Sequence, residues 1–223
     1  MAAPAQVASY IPLIISGFYY TLLLTLGGLV LGFVVGILLA FAETYMSRPV
    51  RAAAAAVDQV LRGIPLIPLL FLIYFGLPSL GFTFPTLVAG SLALGIRSGG
   101  YQSQIFRSAL ESIGVGQVEA ALSIGMGKFE AYRSVLLPQA VRLSIPAWTN
   151  EFTVVLKDTS MAIAIGVPEI MTQAANAVAL TLQPLQVYMI AAAIYLASCL
   201  AVNRSMNLAY ERLRIPGLER GMA

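Results

Sequence analysis

The sequence predicts an all-α integral membrane protein, and three observations predict it. Hydrophobic residues make up 59% of the 223 residues and charged residues only 10%, where a water-soluble chain usually carries roughly 25% charged residues. Mean hydropathy is +0.84. The apolar residues also gather into segments long enough to cross a bilayer, for which about 20 residues of helix are needed. So few charges cannot cover a particle of this size in water, and most of its surface must face lipid.

About five transmembrane helices are expected within a single domain over residues 1–223. The first, about 11–41, contains no charge. No Lys or Arg precedes it, and it is far longer than the apolar core of a cleavable signal. Its Gly28, Gly32 and Gly36 repeat at a spacing of four, leaving a flat stripe for close helix contact or, alternatively, a hinge. The other spans are expected at about 60–77, 84–104, 145–167 and 185–203. Pro78, Gly81, Pro85, Pro168 and Pro184 punctuate the intervals. Residues 105–144 are too polar to span and form a connecting region.

Basic residues give the orientation. Arg48, Arg51, Arg107, Lys128, Arg133, Arg142, Arg204, Arg212, Arg214 and Arg220 all fall on one side if there are five crossings. The positive-inside rule then places the N-terminus outside and the C-terminus in the cytoplasm, in a multi-pass protein of the cell membrane. The net charge of +3 reflects those loops and gives no argument for nucleic acid.

Composition also excludes chemistry. With no histidine, imidazole catalysis and His-ligated zinc are out. A single cysteine, Cys199, allows neither an internal disulfide nor a CxxC pair; in its apolar stretch it reads as a small hydrophobe. No GxSxG or HExxH is present. No catalytic residue, cofactor or metal site is expected in this chain. Glu43 and Glu169 lie at span edges and read as solvated carboxylates.

Three basic residues remain inside spans, Arg62, Arg97 and Lys157, and Glu151 and Asp158 share the fourth span with Lys157. A charge at mid-bilayer costs at least ~2.5–3.5 kcal/mol, so it faces a bundle interior or an aqueous cavity. Glu151 and Asp158 are two helical turns apart and lie on one face; Lys157 points elsewhere. Two readings stay open: structural charge pairing, or a polar translocation path. Tyr74, Phe75 and Tyr101 divide likewise between packing and path lining, and Trp148 fits an interfacial anchor.

The connecting region carries the most specific pattern. Glu119, Ala120 and Ala121 open a helical run, Gly125 and Gly127 break it, and a second short helix ends near Pro138. The result is a compact helix pair suited to docking. Glu119-Ala120-Ala121, Gly125 and Val135-Leu136-Leu137-Pro138 resemble the EAA motif of ABC importer membrane subunits. Arg62-Gly63-Ile64-Pro65-Leu66, Ile73-Tyr74-Phe75-Gly76-Leu77-Pro78, Ile105-Phe106-Arg107, Asn150-Glu151-Phe152 and Leu156-Lys157-Asp158-Thr159-Ser160 are similar to the polar amino acid branch, which includes the histidine, arginine and glutamine permeases. Gln104, where many members have Glu, and the glycine-rich Ser98-Gly99-Gly100-Tyr101 depart from that pattern.

The resemblance implies a type I ABC importer fold and a permease subunit without an ATPase of its own. The sequence agrees, since Gly127-Lys128 precedes Phe129 and Leu122 stands where a phosphate loop needs glycine. It further implies an ATPase dimer that binds ATP and Mg, a second permease subunit (the same chain or a paralogue), an extracytoplasmic substrate-binding protein and an amino acid substrate. The cytoplasmic coupling helices would carry ATPase contact through Glu119, Ala120, Ala121, Gly125, Leu137 and Pro138. Substrate-path candidates are Glu151 and Asp158 for an ammonium, Thr159 and Ser160 for neutral hydrogen bonds, and Arg62 for an α-carboxylate. Lys157 is either a further path residue or a structural counter-ion to Asp158 or to a neighbouring helix. The rival from another class is a self-sufficient secondary transporter, which would leave the docking helices without a use.

Overall fold

The computed structural model describes residues 7–213 and is helical throughout, with no strand among those residues. Lipid offers the backbone no hydrogen-bonding partner, so each crossing segment satisfies its own N–H and C=O groups as a helix. Helix α1, Ile11–Tyr45, is about 52 Å long at 1.5 Å per residue and outreaches the hydrocarbon layer.

The stretch expected to span at 60–77 is divided. Helix α2, Arg48–Gly63, ends at Ile64, whose extended backbone is what Pro65 demands of its predecessor. The chain then bends by 99° into α3, Leu66–Phe71, which continues as a wide π turn and a 3-10 turn to Leu80. Helix α4, Thr86–Ser112, runs beyond the expected 84–104. The fourth span likewise begins earlier than 145. Short α5, Val115–Ser123, leads into α6, Lys128–Ala131, a π turn over Tyr132–Leu136, and α7, Leu137–Asp158. Pro138 lacks the N–H that an α-helical turn would need there, which accounts for the wide turn before it. Helix α7 tightens into a 3-10 turn to Ile165; α8, Ile170–Thr181, and α9, Pro184–Leu213, complete the described chain. Helices α1 and α9 are each long and apolar enough to cross a membrane; the bent pairs α2–α3 and α6/α7–α8 would raise the number to four.

Close packing is concentrated between α1 and α4. A Cβ on Gly28 would lie 2.8 Å from Leu94 Cβ, and one on Gly36 would lie 3.0 Å from the Ser103 backbone nitrogen. The glycine stripe is therefore a helix seam. Position by position the seam rises together, from Leu24 against Gly90 to Glu43 against Arg107, so α1 and α4 are parallel. Parallel neighbours need a return between them, which α2–α3 supplies. Helix α7 opposes α4, since Arg97 meets Asp158 while Gln102 meets Trp148.

Candidate functional site

Helix α4 is the polar axis of the molecule. Gln102, fully buried, donates to the Leu29 carbonyl of α1 at 3.2 Å and to Ser98 Oγ at 3.0 Å, and accepts from Trp148 Nε1 of α7 at 2.7 Å. Ser98 Oγ in turn donates to Glu151 Oε1 at 2.7 Å. Trp148 is thus half-buried and tied to the interior; the expected role of interfacial anchor is replaced by a hydrogen bond across helices. One turn outward, Arg97 forms an ion pair with Asp158, and the Arg97 guanidinium lies 5.1 Å from the Tyr101 ring centre.

The six expected path residues occupy three places. Glu151 and Asp158 do share a face, and it is the face against α4; Glu151 is 5% exposed, whereas the Asp158 side chain is 15% exposed. Thr159 is fully buried and spends its hydroxyl on the Leu156 carbonyl at 2.7 Å. Arg62 lies apart on α2, where it binds Asp58 at 2.8 Å, and Gln104 Nε2 donates to that same Asp58 at 2.8 Å. Gly100 leaves room for this contact, a Cβ there coming within 2.7 Å of Arg62 Cγ. Lys157 and Ser160 turn the other way, into an open groove of about 610 Å³ between α7 and α9 shared with Asn150, Tyr195 and Asn203. Lys157 is not the counter-ion of Asp158, because Arg97 holds that position; Lys157 makes no ion pair among the described residues.

The two edge glutamates are also not solvated. Glu43, 5% exposed, pairs with Arg107 at 3.1 Å. Glu169, fully buried, caps α8 by accepting from Thr172 N at 2.7 Å and also accepts from Tyr195 Oη. Glu43 faces Arg107 of α4 and Glu169 faces Tyr195 of α9, so a position at a span edge does not by itself expose a side chain. Arg97 lies in the polar interior, as its intramembrane charge predicts. Asp58, Ser98 and Gln102 join it there without a sequence expectation, although the i, i+4 spacing of Asp58 and Arg62 was an available signal.

At the end where α1 and α4 finish, a second region protrudes. Tyr132 packs its ring against Phe41 and Tyr45, with centroids 4.9 and 4.8 Å away, and fixes the base of the α5–α6 hairpin. Glu119 and Ala120 are exposed while Ala121 is 4% exposed. Gly125 turns the hairpin at φ +86°, with Met126 N donating to the Ala121 carbonyl at 3.2 Å, a helix stop that glycine adopts without strain. Leu137 is half-buried and Pro138 exposed. Ile124 and Phe129, absent from the sequence expectations, are 76% and 68% exposed.

Residues 28–215 match the family model for the binding-protein-dependent transport system inner membrane component. The chain belongs to this family. It is 35% identical to the octopine transport system permease protein of Rhizobium radiobacter over 214 residues, covering 91% of this chain and 90% of the relative. It is 33% identical to the glutamine transport system permease protein of Escherichia coli, covering 92% and 94%. Among solved structures, a chain from an amino acid ABC transporter crystallised with histidines superposes with TM-score 0.83 at 36% identity, over 92% of this chain and 96% of that one. The MetNI methionine ABC transporter in inward-facing form shares the fold, with TM-score 0.78 at 21% identity and coverage of 91% and 97%. The expected resemblance to amino acid ABC permeases and the all-α membrane fold therefore hold, and the chain is a membrane permease of this type.

Proposed function

We propose that this permease forms half of the translocation path of an ATP-driven importer for polar amino acids, with its N-terminus outside and its C-terminus in the cytoplasm. The observation that carries the reading is the polar interior between α4 and α7 in a chain whose relatives are amino acid permeases. Charges held inside a bundle at membrane depth belong to solute pathways more often than to scaffolds. A substrate-binding protein delivers the amino acid from outside, and a second permease subunit closes the path. ATP and Mg are bound by partner ATPase subunits.

The exposed hairpin is the contact with those subunits. Glu119, Ala120 and Gly125 present its surface, while Ala121, Leu137 and Pro138 connect it to the helices that move. ATP drives the path outward-open only by binding the two conformations unequally, since equal affinity shifts nothing. Glu151, Asp158 and Thr159 belong to the inner wall, Arg62 to its cytoplasmic side, and Lys157 and Ser160 to the groove that meets the second permease or the path.

The test is to purify the chain from its own membranes in mild detergent and identify its companions by mass spectrometry. Co-purifying ATPase subunits, with amino acid uptake into liposomes that requires ATP, are expected. A chain that purifies alone and moves solute without ATP would overturn the importer reading.

A further inference from the structure

Helices α1 and α7 both pack against α4 and leave an apolar groove of about 310 Å³ between them. Leu26, Val30, Phe33 and Val34 of α1 line it with Trp148 and Phe152 of α7. Phe33 packs edge-on against Phe106, with 5.3 Å between ring centres. Phe106 lines the crease that continues the groove past Ile37 and Val141 to Tyr132, at the hairpin end. From Leu26 to Ile37 the α1 wall rises about 16 Å, the depth of one leaflet in a hydrocarbon layer about 30 Å thick. The hairpin end is basic: Arg133 and Arg142, each next in sequence to a lining residue, are exposed and make no ion pair among the described residues. We propose that the groove binds an anionic phospholipid of the leaflet on the hairpin side, with one acyl chain between α1 and α7 and the headgroup phosphate on Arg133 and Arg142.

The walls of the groove favour a lipid over a further transmembrane helix. Helices associate in a bilayer through close approach of small residues or hydrogen bonds across the contact. The α1 glycines that allow such approach face α4, whereas the groove presents large apolar side chains and the Trp148 N–H is turned inward to Gln102. An acyl chain needs no polar partner and follows an irregular apolar surface by dispersion contact. The Tyr45 and Tyr132 rings, 4.8 Å apart at the basic end, suit the headgroup level, where amphipathic aromatics gather. Charge then selects the lipid. Each arginine near the surface raises binding of a net negative headgroup roughly fivefold, while the choline of a zwitterionic lipid offsets its phosphate. The site is independent of which solute the permease carries.

Trp148 is the single tryptophan of the chain and lines the groove, so its fluorescence reports the occupant. The experiment reconstitutes the permease–ATPase complex in phosphatidylcholine vesicles that contain increasing mole fractions of a lipid brominated on its acyl chains. That lipid is phosphatidylglycerol in one series and phosphatidylcholine in the other. Bromine quenching of Trp148 is read after subtracting the signal of the same complex carrying Trp148→Phe. Brominated phosphatidylglycerol is expected to quench at about 10-fold lower mole fraction than brominated phosphatidylcholine. The complex carrying both Arg133→Gln and Arg142→Gln is expected to respond alike to the two lipids. Equal quenching by both lipids in the wild type, or a preference that survives loss of both arginines, overturns the proposal. Quenching by neither lipid means that a protein helix covers the groove, and overturns it as well. If Trp148→Phe does not assemble, native mass spectrometry of the wild-type and doubly substituted complexes decides. Phosphatidylglycerol carried by the first and lost from the second is expected, and equal retention overturns the site.

Discussion

The α4 interior and the α5–α6 hairpin are built from the same small and polar residues, and they use them in opposite ways. In the interior, glycine brings backbones together: Cβ atoms on Gly28, Gly32 and Gly36 would each fall within 2.8 Å of a neighbouring helix. In the hairpin, a Cβ added to Gly114, Gly116, Gly125 or Gly127 would meet nothing within 4 Å beyond its own chain neighbours, among the described residues. Glutamate divides in the same manner, since Glu151 is 5% exposed and hydrogen-bonded across helices while Glu119 is exposed. The interior carries stability, and in the proposed function the hairpin carries contact with another protein, so mutations should separate the two.

The largest stability effect is expected from Gly36→Leu. The new side chain would collide with the Gln102 and Ser103 backbone, and overpacking a tight contact costs about 3 kcal/mol. Thermal unfolding in detergent should show a much lower midpoint or no recoverable protein. A midpoint near wild type would mean that the seam is looser than its distances.

Glu169→Ala comes next. It deletes the acceptor for Thr172 N and for Tyr195 Oη, and loss of a buried cap costs about 2 kcal/mol. Hydrogen exchange should rise at the start of α8 while the hairpin's protection stays unchanged. Equal protection in both proteins would show that the cap contributes nothing.

Gly125→Val moves the comparison to the hairpin. At φ +86° a branched side chain is strained by about 1–2 kcal/mol, too little to unfold the domain. Purified protein should be near normal in yield, yet retain less ATPase subunit on affinity purification. Full retention would detach Gly125 from coupling.

The smallest effect on stability and a large one on transport belong to Glu119→Ala. A surface substitution on a helix stays within about 0.5 kcal/mol, so the unfolding midpoint should not move. ATP-driven uptake should fall while substrate capture by the binding protein continues; normal uptake would remove Glu119 from the docking surface.

Taken by itself, the sequence determined what depends on neighbours along the chain. Apolar runs gave the membrane class, the four-residue glycine spacing gave the α1 seam, and Glu119-Ala120-Ala121 with Gly125 gave the hairpin and its turn. These features are local, because helix period, bilayer thickness and glycine's left-handed backbone act over a few residues or one turn. Only the tertiary structure decided which charge meets which. Arg97 and Asp158 are 61 residues apart, Ser98 and Glu151 are 53 apart, and Trp148 and Gln102 are 46 apart. Adjacency in sequence favoured Lys157 as the partner of Asp158, but consecutive helical residues point about 100° apart and Lys157 faces the α7–α9 groove. The Pro65 break was visible as a residue, whereas its 99° bend was not. Long-range pairing follows from how whole helices share a limited interior, and no local pattern encodes that geometry.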